Sequence, residues 1–155
     1  MQYLVLKSLH VLFVVLFLGN IITGVFWKMH ADHTGHLGAR VQALDGVIRA
    51  DSWFTLPGVI GIIATGVLMA MGAHLPILGT RWILWAIILF GISGIVFGVF
   101  LGPVQKKLLA NVRAGLAGQW DESEYRRLSR AWQVWGSIAT LAPVGALFLM
   151  VLKPT

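Results

Sequence analysis

Long apolar runs alternate with shorter polar ones along this chain, and the apolar runs come at membrane length. A helix needs about 20 predominantly apolar residues to cross a bilayer core. Four runs qualify: residues 3–27, 56–71 with flanks from 52 to 73, 82–102 and 134–152. Pro57, near the start of the second, predicts a kink there that Gly58 eases. The intervening stretches keep a helical period. "ARVQALDGVIRADSWF" puts Val41, Leu44, Val47 and Ile48 on one face and runs on into the second span. "VQKKLLANVRAGLAG" prolongs the third span, with "GLAG" as its stop. "DESEYRRLSRAWQVW" starts the fourth, with Asp121 as N-cap and Glu124 three residues on. The expectation is an all-α, single-domain, up-down four-helix membrane bundle whose helices extend into the cytoplasm.

Charge supplies the orientation. Lys28, Arg40 and Arg49 fall between spans one and two, and Lys106, Lys107, Arg113, Arg126, Arg127 and Arg130 between spans three and four. The opposite side carries only Lys7, Arg81 and Lys153. The positive-inside rule places both long loops in the cytoplasm and both termini outside, in a bacterial-type inner membrane. Trp27, Trp53, Trp132 and Trp135 are expected at the inner boundary, and Tyr3, Trp82 and Trp85 at the outer one.

Composition agrees: 57% of residues are hydrophobic and 12% charged, where soluble domains average about 25% charged. The net charge of +6 sits in loops as topology signals, so no nucleic-acid partner is expected. The chain has no cysteine, which excludes disulfides, thiolate metal sites and thiol catalysis. The first apolar run is too long and lacks the basic start of a cleaved signal, so it is read as a span. Gly58, Gly61 and Thr65 on span two, and Gly94, Gly98 and Gly102 on span three, are small residues of the kind that let helices approach in lipid. The span-three set could equally serve a homo-oligomer.

Candidate chemistry centres on histidine. His10 lies inside the first span, on a stripe with Tyr3, Phe13, Phe17, Asn20 and Gly24. An ionisable group within the bilayer faces the bundle interior and marks function by default. His74 follows span two on the same side, beside Met69 and Met71. Histidine and methionine ligate haem iron and also suit copper. His30, His33 and His36 recur every three residues in "HADHTGH", where a shared metal competes with a solvated turn. Gly35 and Gly38 argue that the helix ends there. Phosphate loops, nucleophile elbows and HExxH motifs are missing, and no Asp or Glu lies inside a span, so no carboxylate proton relay is expected.

"YLVLKSLHVLFVVLFLGNIITGVFWKMHAD" resembles the first span of the HemJ-type protoporphyrinogen oxidases, which share its Lys–x–x–His stretch and the basic, His-containing loop that follows. "RADSWFTLPGVIGIIATGVLMA" and the closing "LFLMVLKPT" fit the same pattern. A resemblance covering nearly the whole chain is to a family of small integral membrane proteins carried as a domain of unknown function. It rests on "LPG" after a basic stretch and a GT-x-W start to span three. Copper-resistance membrane proteins of the CopD type are more distantly similar. The HemJ-type resemblance implies a b-type haem held by His10. Where that family has a lysine near the start of span three, this chain has Arg81 and Trp82.

The leading expectation is a b-type haem membrane protein working in electron transfer or in oxidation of a tetrapyrrole or quinol-like substrate. His10 would be an axial ligand, with His74, Met69 or Met71 as the second. Phe13 and Phe17 would pack the porphyrin edge, and Arg81 could pair with a propionate. A redox partner or quinone would complete the path. The alternatives are copper handling through Met69, Met71 and His74, and an accessory subunit docking through Trp120, Tyr125, Trp132 and Trp135.

Overall fold

The computed structural model describes residues 1–154. Four helices long and apolar enough to span a membrane make up nearly all of it: α1 (Gln2–Thr34), α2 (Leu37–Gly72), α3 (Arg81–Leu116) and α4 (Glu122–Leu152). They run up and down, so one end of the bundle carries both termini and the 73–80 loop. The other carries the basic connections, and these are called the terminal and basic ends below.

The stops expected from the sequence are where glycine permits them. Gly35 closes α1 in the left-handed region, at φ 70°, and Gly118 at φ 85° follows the end of α3. Asp121 caps α4 by accepting the Glu124 N–H at 3.0 Å. That bond and the Ser123 hydroxyl hold the Asp121 carboxyl below its ordinary range.

Each of α2 and α3 contains one wide turn, over Asp51–Thr55 and Val96–Leu101. The Leu56 N–H reaches back five residues to Asp51 O, and the Gly102 N–H to Phe97 O. Pro57 and Pro103 follow directly, so the irregularity expected at Pro57 is spread over the turn before it. Pro143 is accommodated differently. Lacking an N–H, it leaves the Ala139 carbonyl, four residues back, without its helical donor. Ser93 of α3 donates to that oxygen at 2.6 Å. A neighbouring helix thus repairs the bond that proline removes.

The buried core lies toward the basic end. Leu44, Leu108, Val112, Tyr125, Leu128 and Trp132 belong to it, and Val41, Val47 and Ile48 face the same way or stay partly buried. Trp27 and Trp53 are exposed at this end, as boundary residues should be, and Trp85 is exposed toward the other. Trp132 corrects the boundary expectation: it is buried in the core. The aromatic docking surface is likewise not formed. Tyr125 is buried, Trp120 packs on Tyr125, and Trp135 stacks on Phe100.

Toward the terminal end the bundle divides into two hairpins. Residues 56–72 of α2 pack on α1, and residues 81–95 of α3 pack on α4. Among the described residues, no Cα of 56–72 comes within 8 Å of residues 81–95 or of α4.

Candidate functional site

From His10 to Gly24 the α1 stripe predicted from the sequence is the face that meets α2, while Tyr3 at its start is exposed. Phe13 sits against Gly61, and Phe17 Cβ lies 3.1 Å from where a Cβ on Gly58 would stand. Gly24 faces Val47. Gly58, Gly61 and Thr65 therefore do bring the helices together. Gly94 and Gly98 have nothing within 4 Å of a built Cβ, so they form no helix contact within this chain.

His10 is half-buried on this face, and its Nδ1 lies 2.8 Å from Thr65 Oγ1. The Thr65 hydroxyl has one hydrogen, which it donates to Gly61 O at 2.6 Å. With that hydrogen committed, Thr65 Oγ1 can accept from His10 when Nδ1 carries the ring proton, and in that neutral tautomer Nε2 is the ring's acceptor. Metal-ligating histidines are fixed in just this way, with one ring nitrogen donating to a neighbour and the other free for the metal.

The other candidate ligands are not gathered around His10. Met69 is partly buried one turn along α2 from Thr65. Met71, His74 and Arg81 are exposed at the terminal end, His74 in the left-handed region at φ 52°. Phe13 and Phe17 are committed to packing on Gly61 and Gly58, and Phe17 also meets Phe90 at 5.4 Å between ring centroids. At the basic end His30, His33 and His36 are all exposed. His30 packs on Phe26, His33 bonds its own helix at Met29 O, and His36 precedes α2. No group of three or more His, Asp or Glu able to hold a metal occurs among the described residues.

Asp32, the carboxylate within the histidine motif, serves a different cluster. It accepts from Lys28 Nζ at 2.6 Å and from the Tyr125 hydroxyl, and Arg40 Nε lies 3.7 Å away. Lys28 is 1% exposed. Its ammonium also donates to Ser129 and lies 5.1 Å over the Trp132 ring. This latch fastens α1 to α4.

Sequence reasoning missed a second polar cluster and the cavity beside it. Asn20 Nδ2 donates to Thr55 Oγ1 at 2.9 Å and to Asp51 Oδ1 at 3.2 Å. Thr55 donates to the same Asp51 oxygen, and Gln105 Nε2 to the other at 3.2 Å. No cation lies within 4.0 Å of Asp51 among the described residues. These groups form one end of a cavity of ≈ 210 Å³ to which all four helices contribute. The rest of its wall is almost wholly apolar. The available signal was Asn20, already placed on the inward stripe; Asp51 and Gln105 stand just outside the apolar windows and Thr55 in the flank of one.

The model of the predicted integral membrane protein family DUF2269 matches residues 4–154. The chain belongs to this family. The match spans nearly the whole chain and supports the resemblance read from "LPG" and "GTRW". No curated protein and no solved structure matches.

Proposed function

We propose that this DUF2269 protein is a b-type haem protein of the inner membrane, with a redox role and with its basic end in the cytoplasm. The observation that carries the reading is the chain of contacts His10 Nδ1, Thr65 Oγ1 and Gly61 O. In the proposed arrangement Nδ1–H donates to Thr65, and the membrane-embedded imidazole offers Nε2 to a metal. Iron bound there would supply one-electron chemistry. Thr65 orients the ligand ring and raises its basicity, and the apolar helices around it limit water. Met69, one turn from Thr65, is the nearest candidate for a second ligand, with Met71 and His74 farther out. Arg81, exposed at the terminal end, would meet a propionate.

Absorption spectra of detergent-purified protein, oxidised and dithionite-reduced, test the reading. A Soret band and a sharp reduced α band are expected, both lost in His10→Ala. Thr65→Val should keep the band with roughly 10- to 100-fold weaker haem affinity, the usual cost of losing a ligand's orienting partner. A featureless spectrum from cells supplied with ample haem overturns the proposal.

A further inference from the structure

Around Asp51 the fold supplies donors and leaves acceptors over. Asn20 Nδ2 and Gln105 Nε2 each donate to the carboxylate at 3.2 Å, and the Thr55 hydroxyl donates at 2.9 Å. Three converging donors are the bonding of the ionised, acceptor-only form. All three partners are neutral, and among the described residues no cation stands within 4.0 Å of Asp51. Each amide meets Asp51 with its nitrogen, so its oxygen is the end without a partner. Neither Asn20 Oδ1 nor Gln105 Oε1 accepts a hydrogen bond among the described residues, and neither is fully enclosed, although Gln105 is only 4% exposed. Asn20, Asp51 and Gln105 all line the cavity. Its polar end therefore lacks a positive charge and hydrogen-bond donors, and both must come from outside the chain.

Water supplies donors but no charge. Hard metal cations take about six or more oxygen ligands, whereas this wall offers oxygens at one end and Ile21, Val59, Ile63 and Phe97 elsewhere. The group that fits is cationic at one end and apolar along the rest. An apolar cavity of about 150 Å³ takes up benzene, so ≈ 210 Å³ leaves room for one ring with a short arm. We propose that the cavity binds a lipophilic one-ring amine, whose ammonium neutralises Asp51 and donates to the amide oxygens of Asn20 and Gln105. Asn20, Gly24 and Val47 also line a groove of ≈ 440 Å³ between α1 and α2, which leads to the exposed Trp27 and His30 at the basic end. The amine approaches its polar subsite from that groove. This site is distinct from His10 and does not depend on haem.

The test compares 2-phenylethylamine with 2-phenylethanol, which has the same ring and arm but no charge, by titration calorimetry on the detergent-purified protein near neutral pH, against a detergent blank. Saturable one-to-one binding of the amine is expected, with the alcohol about tenfold weaker or more (about 1.4 kcal/mol). Asp51→Asn should weaken the amine by a similar factor and leave the alcohol unchanged. Gln105→Leu removes an amide oxygen but no charge, and should weaken the amine severalfold. Asp45→Asn removes the same charge from α2 at a residue that does not line the cavity, and should bind the amine as the wild type does. Absence of saturable amine binding to the wild type overturns the proposal, as does equal affinity for the two compounds. Full amine affinity in Asp51→Asn, or in Gln105→Leu should the first variant not fold, overturns it too.

Discussion

Asp32 accepts from Lys28 and Tyr125 and faces Arg40, so removing its carboxylate strands two cations inside the structure. Losing one partner of a buried ion pair costs about 3–5 kcal/mol, because the other charge stays buried and uncompensated. Asp32→Ala is therefore expected to unfold well below the wild type in detergent thermal-stability assays, and Asp45→Ala, whose arginine partners are mostly exposed, to shift little. Equal melting of the two variants would contradict the latch. Sequence alone gave His10 and Asn20 their inward direction, since both lie on one stripe of an apolar helix. It could not show that Lys28 leaves solvent: its partners Ser129 and Trp132 lie about a hundred residues away. For the same reason Asp32 read as a companion of histidines rather than of Lys28 and Tyr125.

At the scale of the helix, irregularities are matched by specific partners. Pro143 frees the Ala139 carbonyl and Ser93 takes it up. Ser93→Ala should leave that oxygen unpaired, a loss of about 1–3 kcal/mol. Pro143→Ala restores the helical N–H, so the double variant should recover most of the stability lost by Ser93→Ala. A thermal-unfolding cycle with simple additivity would exclude the compensation. The helices, their stops at Gly35 and Gly118 and the Asp121 cap were legible because each follows from local chemistry. The wide turns were not. Proline marked Pro57 as a place of strain, but the turn before it holds Asp51, whose partners Asn20 and Gln105 lie on other helices and leave no local signal. The glycine set on α3 was legible as a pattern and not as a contact, since Gly94 and Gly98 face open space within this chain.

For the whole molecule, the bundle is tight at the basic end and parted into two hairpins toward the termini. The apolar windows gave the four helices and the up-down order, while the cavity between the hairpins arises from all four and has no local signature. The proposed orientation rests on the asymmetry of Lys and Arg and is open to a clean test, since the chain has no cysteine of its own. Leu78→Cys, at the exposed terminal end, should react with a membrane-impermeant maleimide on intact spheroplasts. His36→Cys, at the basic end, should react only after lysis; the reverse pattern would invert the topology.

The central claim is that His10 offers a free Nε2 to iron. It is tested most directly by the absorption spectrum of purified His10→Gly with and without added imidazole. The expected result is no Soret band in the variant alone and its return with imidazole, which replaces the missing ligand without restoring the helix contact. A Soret band that persists unchanged in His10→Gly without imidazole would show that His10 does not hold the haem.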